Sequence, residues 1–284
     1  TLSVFSLWAA KSAGVPVRIA HSHSTSSPRE LKRNILKNIL KHFSKIFANK
    51  YLACSKAAAK FQFGNNSVKK NEVIIINNAI DLTIFKYNSD IRQKMRESLG
   101  IKKDTLVIGH VGRFVTVKNH EFLIEIFNEI HKCNSDSMLV LVGEGPLLEK
   151  IKNRVNMLNI SDNVLFLGQR DDVNELYQVF DIFCLPSYYE GLPVVGIEAQ
   201  ASGNLCFLSD EMTEETKILD DTVFMSLDNT AREWANEMLK KIKFYQKHDT
   251  IKEVSRYGFN IKEEVNKLEN FYIEQEIKMK KDIW

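Results

Sequence analysis

The sequence predicts an α/β fold of doubly wound, Rossmann-like type. Short strands alternate with helices through the second half of the chain. Those strands are continuously apolar rather than alternating, the pattern of strands buried on both faces of a parallel sheet. At 284 residues the chain exceeds the roughly 150 residues typical of one domain, so two are expected.

In chain order, Leu2–Ala13 reads as a helix with Leu7, Trp8 and Ala10 apolar; it ends at Gly14 and feeds a strand-like run, Val15–Ala20. That is half of an α/β unit. Because residue 1 is Thr, the expectation is a chain that opens inside a domain and lacks its first strands, with a small intact domain as the alternative. Residues 29–50 form a strong helical pattern: Leu31, Ile35, Ile39, Phe43 and Ile46 recur three or four apart, with Leu36, Leu40 and Phe47 alongside. The other face carries Arg29, Lys32, Arg33, Lys37, Lys41, Lys45 and Lys50 against one acid, Glu30. An ordinary domain helix with solvated lysines and a peripheral contact with anionic lipid both fit this pattern. Strands are expected at Tyr51–Ala53 and Val73–Ile76, and the polar stretch Asn77–Asp90 reads as an interdomain linker.

Beyond the linker, strands are expected at Leu106–Val111, Met138–Val142, Val164–Leu167, Ile182–Leu185, Leu205–Leu208 and Val223–Leu227. Helices are expected over 119–131, 147–158, 172–179, 193–202, 231–246 and 261–280. The domains then run 1–80 and 81–255, with 256–284 a helix packing back toward the first.

Composition narrows the partners. The net charge of +3 is too small to argue for nucleic acid. Four cysteines (54, 133, 184, 206) lie far apart with no CxxC, as reduced thiols of a cytoplasmic protein would. No apolar run reaches about 18 residues, so no span is expected.

In open α/β sheets ligands bind beyond the carboxyl ends of the strands. After Leu106–Val111 comes Gly112, then Arg113 and Lys118, a planar fork and a point charge that suit a pyrophosphate. Taken alone, two loop cations are more often simply solvated. After Ile182–Leu185 come Glu190 and Gly191, Leu192 and Pro193 at a helix start, with Glu198 in the second turn. Pro193 suits the first helical position, and the amides near Leu192, Val194 and Val195 form an anion site at a helix N-terminus. A carboxylate accepts from two adjacent hydroxyls, so one glutamate suits the nucleoside sugar and the other the transferred sugar.

The runs V-G-R-F-x3-K (111–118), V-G-E-G-P (142–146), L-G-Q-R (167–170) and P-S-Y-Y-E-G-L-P-V-V-G-I-E-A (186–199) resemble the retaining family-4 glycosyltransferases of GT-B fold. The E-x7-E spacing from Glu190 to Glu198 is that family's hallmark. R-I-A-H-S-H-S (18–24) and I-N-N-A-I-D (76–81) extend the likeness, which is greatest to bacterial capsular and exopolysaccharide enzymes. The resemblance implies two Rossmann-like domains facing a cleft, the N-terminal one truncated here. It implies that Arg113 and Lys118 bind the donor pyrophosphate, Glu198 the ribose, and Glu190 and the 191–195 amides the donor sugar and phosphate. The backbone near Arg170 would meet the nucleobase, and His23, beside Ser24, the reacting sugar.

By the same resemblance the reaction is a retaining, metal-independent hexosyl transfer from a nucleoside diphosphate sugar to a glycan or lipid-linked acceptor. It requires no cofactor, and no DxD carboxylate pair stands at a strand end. Two other readings stay open: a sugar-nucleotide-binding fragment without transferase activity, and another GT-B enzyme such as a sugar-nucleotide epimerase.

Overall fold

The computed structural model describes residues 3–23 and 31–281; Leu2, Ser24, Arg29 and Glu30, and the side chains of Leu31, Lys32 and Arg33, lie outside the described residues. The chain divides into two compact units, Thr1–Ala79 with Gly258–Trp284, and Ile80–Tyr257.

The first unit runs α1 (Ser3–Ser12), β1 (Ile19–Ser22), α2 (Leu31–Phe47), β2 (Lys50–Ala53), α3 (Lys56–Phe63), α4 (Asn65–Lys69) and β3 (Val73–Ile75). Its three strands are parallel, in the order β1-β2-β3. Leu7, Ala20, Ala53, Cys54 and Phe63 form its core. The C-terminal helix Ile261–Lys281 packs Phe271 against Leu52 and Ile76. Glu264 of that helix accepts a hydrogen bond from Asn77 N at 2.7 Å.

Two expectations need correction here. The first strand starts at Ile19, not Val15. Pro16 has no N–H to give a ladder, and the Asn49 side chain bonds both Pro16 O (2.7 Å) and Arg18 N (2.8 Å). The long helix stops at Phe47, and it turns Leu40, Ser44 and Phe47 inward rather than the whole of its apolar stripe. Ile35, Ile39, Phe43 and Ile46 are exposed. Lys45 Nζ instead reaches inward to Phe63 O at 3.0 Å and Ser67 Oγ at 2.8 Å, and Lys41 lies over the Phe61 ring.

The second unit runs α5 (Leu82–Phe85), α6 (Ser89–Ser98), β4 (Leu106–Val111), α7 (His120–Cys133), β5 (Ser137–Val142), α8 (Leu148–Met157), β6 (Val164–Phe166), α9 (Val173–Val179), β7 (Ile182–Leu185), α10 (Val194–Ala201), β8 (Leu205–Ser209), β9 (Val223–Met225), α11 (Ala231–Ile242) and α12 (Ile251–Arg256). The six strands are all parallel, in the order β6-β5-β4-β7-β8-β9. Counted within the unit this is 3-2-1-4-5-6, the Rossmann order, and it reverses between β4 and β7. The inner strands β5, β4, β7 and β8 are buried on both faces, as their unbroken apolar runs require, and the edge strands β6 and β9 are partly exposed. Trp234 of α11 and Phe127 of α7 are among the largest side chains of this core.

The stretch Asn77–Asp90 is not a bare linker. Asp81 caps α5 by accepting from Thr83 N at 2.9 Å, and Asn88 caps α6 by accepting from Ile91 N at 3.1 Å. Such side chains compete with the backbone in turns and also start helices, which is why the stretch read as irregular. Helix α6 carries Arg92 and Arg96, which both grip Asp181 at the amino end of β7.

Candidate active site at the strand switch point

The site grows from the loops that follow β4, β5 and β6. Backbone bonds fasten them together: Gly112 N to Val142 O (2.9 Å), Phe114 N to Glu144 O (2.9 Å) and Gly143 N to Gly168 O (2.8 Å). This closeness explains the glycines. Gly143 has φ +131°, and a Cβ there would stand 2.2 Å from Gly112 O. A Cβ on Gly112 would stand 2.9 Å from His110 Nε2 and 3.3 Å from Lys118 Cε. Gly112 thus makes room for two side chains of its own site.

These loops line a cavity of about 380 Å³ whose walls include Gly112, Arg113, Gly143, Gln169 and Arg170. Arg113 is exposed there. The Arg170 guanidinium, by contrast, is turned to Asp172 in a two-point pair, Nε to Oδ1 at 2.8 Å and Nη2 to Oδ2 at 2.6 Å. Its backbone, the part expected to meet a base, remains on the cavity wall.

Lys118 ends a short 3-10 turn, Thr116–Lys118. Tyr188 N donates to Val117 O at 2.8 Å, which ties the loop after β7 to this turn. The tie brings Lys118 Nζ to 2.7 Å from Glu190 Oε1, with only 15% and 18% of the two side chains exposed. The contact is an ion pair without a well-directed hydrogen bond, since Oε1 has no hydrogen-bond partner. Helix α10 begins just beyond. Pro193 is its N-cap rather than its first helical residue, and offers no side-chain hydrogen bond. A proline has no side-chain acceptor, so no capping side chain covers the first-turn amides of Val194 and Val195.

Glu198 lies in the second turn of α10, half-buried. Tyr177 OH donates to Glu198 Oε2 at 2.9 Å. Burial pushes the Glu198 carboxyl above the usual carboxylate range, and the Tyr177 hydrogen bond pulls it partly back. Behind Lys118 stand two buried histidines. His110 of β4 bonds Cys184 O through Nδ1 at 2.8 Å. His120, the first residue of α7, stacks on Phe114 at 4.1 Å and meets His110 edge-on at 4.6 Å. Burial, and then the charge of Lys118, lower His120 from 6.5 to about 4. Burial also holds His110 well below its ordinary value. Both rings are neutral packing behind a cation.

Arg113, Lys118, Arg170, Glu190, Gly191, Leu192, Val194, Val195 and Glu198 thus belong to one unit, Arg113, Lys118 and the 190–198 stretch beyond the central strands β4 and β7 and Arg170 beyond the edge strand β6. His23 belongs to the other unit, just past β1, exposed, with its ring 4.1 Å from that of His21. Sequence reasoning missed Tyr177, His110 and His120. A histidine inside the apolar run Leu106–Val111 was a usable signal for the second; nothing in the sequence pointed Tyr177 at Glu198. Among the described residues no group of three or more His, Cys, Asp or Glu is placed to hold a metal ion.

Comparison with known proteins bears on the family and the fold. The chain is 36% identical over 269 residues to a protein of Bacillus subtilis strain 168 named as glycosyltransferase EpsF, covering 93% of this chain and 70% of that one. It is 29% identical to an Escherichia coli UDP-Gal:alpha-D-GlcNAc-diphosphoundecaprenol alpha-1,3-galactosyltransferase, covering 72% of this chain and 54% of the relative. Among solved structures, Anabaena HepE in complex with UDP superposes with a TM-score of 0.76 at 20% identity, covering 93% of this chain and 76% of HepE. That likeness shows a GT-B-type fold. Residues 91–256 match the family described as glycosyl transferases group 1, and with the EpsF likeness over most of both chains, the chain belongs to that family.

Proposed function

We propose that the chain transfers a sugar from a nucleoside diphosphate sugar to a glycan or lipid-linked acceptor in surface polysaccharide assembly, with retention at the anomeric carbon. The carrying observation is the Lys118–Glu190 pair beside the uncapped amides of α10, at the strand switch point. Arg113, Lys118 and the amides of Gly191, Leu192, Val194 and Val195 take the diphosphate. They stabilise the negative charge that grows on it as the glycosidic bond breaks. Glu190 contacts the donor sugar, Glu198 holds the ribose, and the backbone of Arg170 meets the base. His23 serves at the reacting sugar.

The bond from the anomeric carbon to the β-phosphate oxygen breaks, and a bond to the acceptor oxygen forms on the same face. The acceptor proton passes to a donor phosphate oxygen, and nucleoside diphosphate leaves. The cations and the helix end supply the charge stabilisation, so the reading needs no metal. The diphosphate competes with Glu190 for Lys118, so donor arrival frees the Glu190 carboxylate for sugar hydroxyls.

The galactosyltransferase relative is named for a UDP-linked donor and a diphosphoundecaprenol-linked acceptor, which makes UDP sugars the first donors to test. A lipid-linked acceptor also gives the α2 surface a role. Its exposed Ile35, Ile39, Phe43 and Ile46, within the basic segment 29–50, suit a peripheral contact with anionic lipid at the cytoplasmic face. No helix among the described residues is long and apolar enough to cross a membrane.

The test is a panel of nucleoside diphosphate sugars assayed for sugar transfer to lipid-linked acceptors. Glu198→Ala should weaken donor binding, whereas His23→Ala should mainly slow turnover. Equal donor affinity for wild type and Glu198→Ala by calorimetry would remove the ribose assignment. Flotation on liposomes with and without anionic lipid tests the membrane contact, which fails if binding is absent or insensitive to salt.

A further inference from the structure

Tyr177 is fully buried, yet its hydroxyl is polar and aimed. Its ring is held on several sides, edge-on to Phe85 at 5.9 Å and to Phe180 at 5.7 Å, and tilted against Phe183 at 5.8 Å. A ring so packed has little freedom to turn, and its hydroxyl stays where the packing puts it. There it meets Glu198 Oε2 at 2.9 Å, with Val195 O a more distant acceptor at 3.2 Å. The hydroxyl has one proton, and an ionised carboxylate can only accept. The proton therefore stays on Tyr177 and is directed at Glu198.

We propose that Tyr177 is a positioning residue for nucleotide recognition: its hydroxyl locks the plane and charge of the Glu198 carboxylate, so that the remaining lone pairs face two ribose hydroxyls. This rests on the reading of Glu198 as the ribose acceptor. A carboxylate offers about four acceptor sites, and Tyr177 occupies one on Oε2. Without the hydroxyl, Oε2 is left in a half-buried place with no donor. The carboxyl then rotates or takes up a proton and presents a donor where ribose needs an acceptor. The loss falls on recognition of the sugar, while the diphosphate contacts at Arg113, Lys118 and the α10 amides stay intact.

The experiment is calorimetry of wild type, Tyr177→Phe and Glu198→Gln with UDP, 2′-deoxy-UDP, GDP and 2′-deoxy-GDP. Wild type should prefer a ribonucleotide to its deoxy counterpart, and Glu198→Gln should lose that preference. Tyr177→Phe should lower it by about threefold to tenfold, through weaker ribonucleotide binding and nearly unchanged deoxynucleotide binding. Para-aminophenylalanine at position 177, which restores a donor in place, should recover part of the preference. If Tyr177→Phe does not fold, this substituted protein carries the test alone, with a preference below that of wild type but above that of Glu198→Gln. A preference lost in Glu198→Gln but kept in Tyr177→Phe overturns the role of Tyr177 and leaves the ribose reading standing. Equal weakening of ribo- and deoxynucleotides in Tyr177→Phe shows a merely structural tyrosine and also overturns it. No preference in wild type, a preference that survives Glu198→Gln, or no binding of either ribonucleotide overturns the ribose reading and the proposal together.

Discussion

The two ends of the six-stranded sheet handle buried polar groups in opposite ways. At the amino ends, Arg96 is 4% exposed and its guanidinium is surrounded by acceptors: Lys103 O, Thr105 O, Val179 O and Asp181 Oδ2, at 2.7–3.1 Å. Lys247 Nζ nearby donates to Tyr177 O, Phe180 O and Asn204 Oδ1 within 3.0 Å. At the carboxyl ends, His110 Nε2, both ring nitrogens of His120, Ser187 Oγ and Thr216 Oγ1 are buried without partners, whereas at the amino ends Ser202 Oγ alone among the described side-chain atoms is so placed. Lys118 and Glu190, at the carboxyl ends, share only an undirected ion pair. A buried polar group left unbonded costs stability, and a bonded one nearly breaks even. The better-satisfied end holds the unit together; the less satisfied end carries the residues placed to meet a ligand.

The amino-end network depends most on Asp181. This carboxylate serves Arg92, Arg96 and the amide of Val107, the last at 2.8 Å. Asp181→Ala strands two cations in a largely buried setting. It should cost about 3 kcal/mol in urea unfolding, while leaving nucleotide affinity per folded molecule unchanged. A loss well below about 1 kcal/mol would mean the network is decorative.

The opposite end is tested by acid. His120 is lowered from 6.5 to about 4, chiefly by burial, so between those values the unfolded chain binds a proton that the folded chain refuses. Stability therefore falls as pH drops through that window, by up to about 3 kcal/mol once the folded value is passed. His120→Phe keeps an aromatic ring against Phe114 and removes the titration. Its urea midpoint should decline less than that of wild type between pH 7 and pH 4.

The same contrast governs what could be read from sequence. The carboxyl-end motifs are local: Glu190 and Glu198 are set by one loop and one helix, and Lys118 by the turn after β4. Residues close in sequence at a strand end report their place directly, so these positions were legible. The amino-end staple joins Arg96 to Asp181 across 85 positions, and Tyr177 reaches Glu198 across 21. Such pairings arise from tertiary packing and leave no spacing signature. The start of β1 is not legible locally, because Asn49, 33 and 31 positions away, takes the polar groups of Pro16 and Arg18. The long helix misled for a related reason. Its pattern is strongly amphipathic, but the side chains it turns to the core are Leu40, Ser44 and Phe47, and Lys45 finds carbonyl and hydroxyl partners on α3 and α4.

Glu190→Gln sharpens the picture at the ligand end. The neutral amide no longer competes for Lys118, whose ammonium then becomes available to a diphosphate. UDP should bind about threefold to tenfold more tightly by calorimetry, even as sugar transfer is lost. Weaker UDP binding would show that Glu190 orders Lys118 for the diphosphate rather than withholding it.

The smallest effect separates the two arginines of the cavity. Arg170 and Asp172 form an ion pair that is 39% and 33% exposed, and the two-point contact through Nε and Nη2 turns the guanidinium to Asp172. Exposed pairs contribute little, and here the backbone, which any residue supplies, is the part expected at the base. Arg170→Ala should change nucleotide affinity by less than about twofold, while Arg113→Ala should weaken it by about tenfold, since a guanidinium on phosphate makes charged, paired hydrogen bonds. Arg113 would then be the cavity cation that acts on ligand, and Arg170 a brace for the loop before α9. Similar losses in both variants would instead require Arg170 to leave Asp172 when nucleotide binds, which a loss of the Arg170–Asp172 coupling in a double-mutant cycle would reveal.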